Sequence, residues 1–211
     1  MSRIVVFGAG GRAGRAAVAE ARGRGHHVTA VVRDPAKYGD LGAEGVRVVP
    51  GDVTDTSGIT AIVAGHDAAI SAVYDPGADP HDFFVGAARA LVDGLEQAGV
   101  GRLVVVGLAS ILETPSGVKL MDTPGYPQEY RSFYLGHAAG TDTLRAAATT
   151  LDWLVISPAG DFDHGGARNA RYRTARADAA SRISYADFAI ALLDEIDAPR
   201  HHRTHLGVEE G

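Results

Sequence analysis

Hydrophobic positions along this chain fall into two alternating patterns. Short runs that are apolar almost without interruption occur at residues 3–7, 27–32, 46–49, 68–73, 102–107 and 153–157. Runs of this kind describe strands covered on both faces, as in a parallel sheet. Between them lie longer Ala-rich stretches with helical spacing, at 12–24, 57–64, 80–98, 130–149 and 185–196, and residues 204–208 read as a final edge strand. This strand–helix rhythm predicts an α/β fold, a doubly wound parallel sheet formed by residues 1–211 as a single domain.

Two stretches break the rhythm. Residues 109–128 carry Pro115, Pro124 and Pro127, and residues 159–181 are rich in Gly, Arg and Asp. Both follow the C-terminal ends of predicted strands, the edge of an open α/β sheet where ligands sit. They are expected to form the substrate side of a cleft, the second as a small C-terminal substrate-loop region.

The first strand runs into "VVFGAGGRAG", residues 5–14. Two registers are open: Gly8-x-Gly10-x-x-Ala13, and Gly8-x-x-Gly11-x-x-Gly14. A glycine motif between a strand and a helix supplies a tight turn, bare backbone N–H groups and a helix N-terminus aimed at a pyrophosphate. A plain strand–helix turn needs one glycine rather than four. The motif therefore points to a Rossmann-type NAD(P)-binding domain.

The second strand ends in "VVRDPAK". Where NAD-preferring proteins place an acidic side chain on the ribose hydroxyls, this chain has Arg33, with Asp34 following it against Pro35. An arginine there accommodates a 2′-phosphate, and Arg12 in the glycine loop is positioned to help. NADP(H) is thus expected over NAD(H). In "GDVTD", Asp52 either accepts from an adenine amino group or, with Thr54, caps the next helix. Small residues Ser71 and Ala72 end the fourth strand and leave room for a cofactor crossing the sheet.

Composition narrows the partners. The net charge of −6, with only two lysines (Lys37 and Lys119) and scattered arginines, argues against nucleic-acid or anionic-membrane surfaces. Cysteine is absent, which removes disulfide and thiolate chemistry. No segment approaches the ~18 apolar residues of a membrane span. The expectation is a cytoplasmic protein acting on a small molecule as a monomer or homodimer. The histidines His26, His27, His201, His202 and His205 have no carboxylate or cysteine completing a ligand set, so no metal is expected.

The segments "FGAGGRAG", "AVVRDPAK", "GDVTD", "GHDAAISAV" and "SRISYADFAIALLDEI" resemble the NmrA-like atypical short-chain dehydrogenases. Within these, "DTPGYPQEY" and residues 181–187 are similar to the NAD(P)H-dependent flavin reductase and biliverdin-reductase-B-like subgroup. The resemblance spans nearly the whole chain. It implies that Gly8, Gly11, Arg12, Ala13 and Gly14 bind pyrophosphate, Arg33 a 2′-phosphate, Asp52 and Val53 the adenine, and Ser71 and Ala72 the adjacent ribose. Pro158 would line the nicotinamide pocket. The chain departs from the family in having Gly10 where a threonine is usual, Ala159 where relatives place a histidine, and a shorter stretch at 165–181.

Typical short-chain dehydrogenases use Tyr-x-x-x-Lys, the tyrosine protonating an alkoxide and the lysine lowering its pKa. None of the seven tyrosines has a lysine four residues on. The remaining candidates are Ser110, after the fifth strand, as a hydrogen-bonding group, and His137, on the following helix, as a proton donor titrating near neutral pH. Each also has a plainer reading, Ser110 as a turn hydroxyl and His137 as a satisfied helix histidine. A flavin acceptor, bound as a substrate rather than as a resident cofactor, needs little from them, because it can take its proton from water. Tyr126, Tyr130, Phe133 and Tyr134 are expected to offer an aromatic wall, or else belong to the helix core. Two functions follow: an NAD(P)H-dependent oxidoreductase, or a dinucleotide-binding redox sensor without turnover.

Overall fold

A computed structural model describes residues 1–211. The elements in chain order are β1 (Arg3–Phe7), α1 (Arg12–Gly23), β2 (His27–Val32), β3 (Val46–Pro50), α2 (Thr56–Val63), β4 (Ala68–Ser71), α3 (Pro80–Ala98) and β5 (Arg102–Val106). They continue with α4 (Arg131–Ala146), β6 (Asp152–Pro158), β7 (Asp161–Asp163), β8 (Tyr172–Ala175), β9 (Arg182–Ser184), α5 (Tyr185–Asp197) and β10 (Thr204–Glu210). Short 3₁₀ turns fill Pro35–Leu41, Ala109–Ile111 and Leu120–Asp122. No helix is long and apolar enough to cross a membrane.

Eight strands form one sheet in the order β3-β2-β1-β4-β5-β6-β10-β8, and β7 pairs with β9 in a separate parallel ribbon. All pairings in the large sheet are parallel except β8 on β10. Successive residues of a strand point to opposite faces. Accordingly Ile4, Val6, Ala30 and Leu154 pack with α1 and α5, while Val5, Phe7, Val31 and Val155 pack with α2, α3 and α4. Both faces are covered, which is why these strands read as unbroken apolar runs.

One expectation is corrected. Residues 204–208 do not form the edge strand: β10 lies between β6 and β8. The edge is β8, inside the stretch read as a loop at 159–181, and that stretch also contains β7. β8 is Tyr-Arg-Thr-Ala with its middle two residues exposed, so its sequence carries no core signal.

At the sheet end opposite the β1–α1 turn, Arg102 is buried with two carboxylates. It donates to Asp152 at 2.8 Å and to Glu195 at 3.1 Å. Burial alone would raise the Glu195 pKa, but the bonds from His201 and from the Arg200 and His201 backbone outweigh it and hold it low. The cluster ties β5, β6 and α5 together. Arg102→Met removes the cation shared by Asp152 and Glu195, leaving the Glu195 carboxylate, whose side chain is 5% exposed, with only His201 and backbone donors. It is expected to cost about 3–5 kcal/mol in urea unfolding, and Arg102→Met/Glu195→Leu less than that. Equal losses in both variants would contradict this role.

Candidate functional site

The site begins where β1 stops. Gly8 adopts φ +73°, and a Cβ there would collide with the carbonyl of Ala72, just past β4. A Cβ on Gly14 would strike the Gly8 carbonyl, so α1 can sit directly on the turn only with glycine at that position. Gly11 is the N-cap of α1; it makes no side-chain cap bond, and the first helical turn holds no acidic residue. The N–H groups of Arg12, Ala13 and Gly14 therefore open a helix end suited to an anion. The departure at Gly10 has a local cause: the Tyr38 ring lies where a Cβ would stand. Tyr38 is held in turn by the Arg15 guanidinium, 5.6 Å from its centroid.

A cleft of about 640 Å³ opens beside this turn, between the C-terminal ends of β2, β1 and β4. The strand order reverses at β1 and β4, so the cleft lies at the sheet's switch point. Gly8, Gly10, Gly11, Val53, Ala72 and Val73 line it, together with Arg33, Asp34, Lys37 and Asp52. The buried Val53 forms apolar floor. Asp52 accepts from the Thr54 backbone N–H at 2.8 Å and its hydroxyl at 2.7 Å. The cap of α2, expected from Asp52 or Thr54, comes from Asp55, which accepts from Ser57 N at 3.1 Å.

The charged groups at the mouth are paired. Arg33 donates to Asp75 at 2.6 Å, and Lys37 lies 3.5 Å from Asp34. Asp34 also accepts from Ala36 N at 3.2 Å as the cap of the 3₁₀ turn. Arg12 is not brought to Arg33. Its guanidinium donates to His164 Nδ1 at 2.7 Å, just past β7.

The remaining candidates lie away from the cleft lining. Ser71 is buried and faces a second cavity of about 40 Å³ with Val73, Phe84, Gly107, His137 and Gly140. That space suits a water or two, not an acceptor. Val73 lines both the cavity and the cleft, so the cavity adjoins the cleft. Pro158 is buried at the end of β6, paired with Val208. Ser110 is fully buried, and its Oγ has no hydrogen-bond partner.

His137 departs from the expectation of a group titrating near neutrality. Part of the residue meets solvent, but its ring is 3.9 Å from the Phe84 ring centroid and 4.8 Å from that of Phe133. Burial, followed by nearby His205, pushes its pKa down to about 3. It is a neutral imidazole at physiological pH.

The aromatic group expected near α4 is mostly packed among itself. Tyr126 and Tyr134 meet edge to face at 5.4 Å, in a cluster with Ile111 and Met121 that Phe133 also packs against, and Phe133 meets Tyr74 at 5.0 Å. Tyr130 is 58% exposed. Burial pushes the Tyr126 pKa up to about 12 and raises that of Tyr134, the reverse of an activated tyrosine.

Sequence reading missed three participants. Asp75 carried no motif, only its position after a strand end. Tyr38 could have been suspected from the glycine standing in place of threonine. His205 was grouped with His201 and His202, yet the three diverge: to Ser157 at 2.7 Å, to Glu195 at 2.7 Å and to Asp152 at 2.8 Å respectively. Burial, with Arg145 and Lys119 adding, pushes His205 down to about 4.

A family model described as NAD(P)H-binding matches residues 8–199. "Uncharacterized protein YwnB" of Bacillus subtilis (strain 168) is 34% identical over 214 residues, covering 98% of this chain and 97% of its own length. Among solved structures, a "putative exported protein" from Burkholderia pseudomallei superposes with a TM-score of 0.86 at 37% identity, over 99% of this chain and 100% of its own. SP1627 of Streptococcus pneumoniae TIGR4, described as a "putative NADH-flavin reductase", superposes with a TM-score of 0.86 at 30% identity over 100% of both chains.

Two outcomes follow from the site's packing. Gly10→Thr should displace Tyr38 and cost about 1–3 kcal/mol, with the loss in Gly10→Thr/Tyr38→Ala smaller than the sum of the single losses. Strict additivity in urea melts would contradict the contact. The folded-state pKa values of His137 and His205, about 3 and about 4, lie below the ordinary 6.5. The unfolded chain then binds protons that the fold refuses, so stability is full above pH ~6.5 and falls as pH drops, by up to about 1.4 kcal/mol per unit for each group. His137→Leu should flatten the profile between about pH 6.5 and 5 relative to the parent; parallel profiles would refute its burial as a neutral ring.

Proposed function

Because the chain belongs to the NAD(P)H-binding family, we propose that it is an oxidoreductase that takes NADPH in preference to NADH and reduces a planar small-molecule acceptor of the flavin kind. The observation carrying this reading is the cleft at the sheet's switch point, with an uncapped helix N-terminus at one end and two cations, Arg33 and Lys37, at the other. Asp34, the acid nearest the ribose position, is already engaged by the Ala36 N–H and Lys37. A similar chain described as a "putative NADH-flavin reductase" supports the acceptor class.

NADPH, when bound, supplies the hydride. The protein's part is to hold and orient. The Gly8–Gly14 turn and the first N–H groups of α1 receive the pyrophosphate, with Arg12 beside them. Arg33 meets the 2′-phosphate, Asp52 and Val53 flank the adenine, and Ser71 and Ala72 border the next ribose at the end of β4. Pro158 backs the nicotinamide end. Ser110, whose hydroxyl is buried and unpartnered, would have to be uncovered before it could serve an acceptor there. His137 can give only the proton of a neutral ring, a poor acid, so protonation of the acceptor falls to water. Flavins tolerate this, because stacking and alignment do most of what they require.

A second reading has its own support. With no tyrosine–lysine pair, and with tyrosines whose pKa is raised rather than lowered, the site also suits a redox sensor that binds NADP(H) without turnover. Stopped-flow mixing of protein, NADPH and FMN separates the two. The proposal expects NADPH oxidation well above the uncatalysed rate; a sensor gives no acceleration but unequal affinities for NADP⁺ and NADPH. Arg33→Ala should weaken NADPH by about tenfold or more and leave NADH within about twofold. Equal losses for both nucleotides would remove the 2′-phosphate assignment.

A further inference from the structure

We propose that Asp75 sets how strongly this protein distinguishes NADPH from NADH, by competing with the 2′-phosphate for Arg33; the inference rests on the cofactor reading above. Arg33 stands just past β2 and Asp75 in the segment after β4, on opposite walls of the same cleft. Their ion pair, 2.6 Å long, therefore sits at the rim of the cleft, beside the place assigned to the 2′-phosphate. The two partners are not equally free. The Asp75 side chain is 26% exposed and its Oδ1 accepts from Gly77 N at 3.0 Å, which fixes the carboxylate in a turn. The Arg33 side chain is 64% exposed and makes no other hydrogen bond.

The aspartate is thus the fixed partner and the arginine the mobile one. A phosphate monoester carries about −1.5 to −2 charges near neutral pH and outbids a single carboxylate for a guanidinium. A pair whose arginine is largely exposed is weak enough to be exchanged in this way. The exchange still lowers net affinity, because it breaks the existing pair and leaves the Asp75 carboxylate close to the incoming phosphate. NADH has no 2′-phosphate and leaves the pair intact. Lys37 cannot fully compensate, since Asp34 lies 3.5 Å from its ammonium. Asp75 is therefore a specificity-determining residue that moderates the preference Arg33 creates.

Asp75→Asn keeps an oxygen for the Gly77 N–H and removes the charge, so the turn is preserved. Fluorescence titrations with NADPH and NADH should show NADPH binding about three- to fivefold tighter than in the parent, with NADH within about twofold. The unchanged NADH affinity also reports that the variant is folded. Titration with 2′,5′-ADP against 5′-AMP should reproduce the same split without a nicotinamide. In an Arg33→Ala background, Asp75→Asn should lose most of its effect. An unchanged NADPH affinity, an equal gain for NADH, or a full gain that survives Arg33→Ala would each overturn the competition. A parent protein showing no preference for NADPH would overturn the cofactor reading and this inference together. A parent preference with no response to Asp75→Asn would overturn this inference alone.

Discussion

The backbone contact between the β1–α1 turn and the end of β4 is the constraint on which the rest of the site depends. Gly8 presses against the Ala72 carbonyl and Gly14 against Gly8, and neither position has space for a Cβ. This closeness brings the N-terminus of α1 to the point where the sheet reverses direction. The segment after β4 supplies Tyr74 and Asp75 to the same cleft as Arg33. Helix dipole, apolar floor and charged mouth then share one cleft.

The two ends of the site differ in character. The end at Arg33 is electrostatic and its charges are spoken for in pairs: Arg33 with Asp75, and Lys37 with Asp34. An anionic ligand there would exchange one ionic partner for another, so its binding would depend on differences between weak pairs. The end near β5 and α4 is the opposite. His137 and His205 are kept neutral by burial, Tyr126 is held in its phenol form, and the Ser110 hydroxyl is enclosed without a partner. Such an end can shape and dry a pocket, and it has little capacity to move protons.

Much of this was legible in the sequence where local chemistry and fold agree. Helix α3 runs from Pro80 to Ala98 as expected, because Asp79 caps it, Pro80 starts it and Gly99 ends it with φ +73°. The apolar strands were legible because both sheet faces are covered. Helix α4 was expected to reach Thr149 but stops at Ala146; the Thr149 hydroxyl and the Thr150 backbone instead donate to Glu96, a partner 53 and 54 residues away. Long-range pairings of this kind leave no trace in local spacing. The same is true of β8, whose pairing with β10 is made by backbone, and of Asp75, whose partner is an arginine 42 residues earlier, just past β2. The glycine motif was informative in both registers, since Gly8 and Gly14 answer to backbone contacts and Gly10 to the Tyr38 ring.

A crystal structure of the NADP⁺ complex tests most directly whether the Gly8–Gly14 turn and its cleft receive the phosphates of NADP(H). The expected result places the pyrophosphate on the first N–H groups of α1, the adenosine between Arg33 and Val53, and the 2′-phosphate on the Arg33 guanidinium with Asp75 released. Dinucleotide density elsewhere on the molecule, or a 2′-phosphate pointing to solvent with the Arg33–Asp75 pair unbroken, would contradict it.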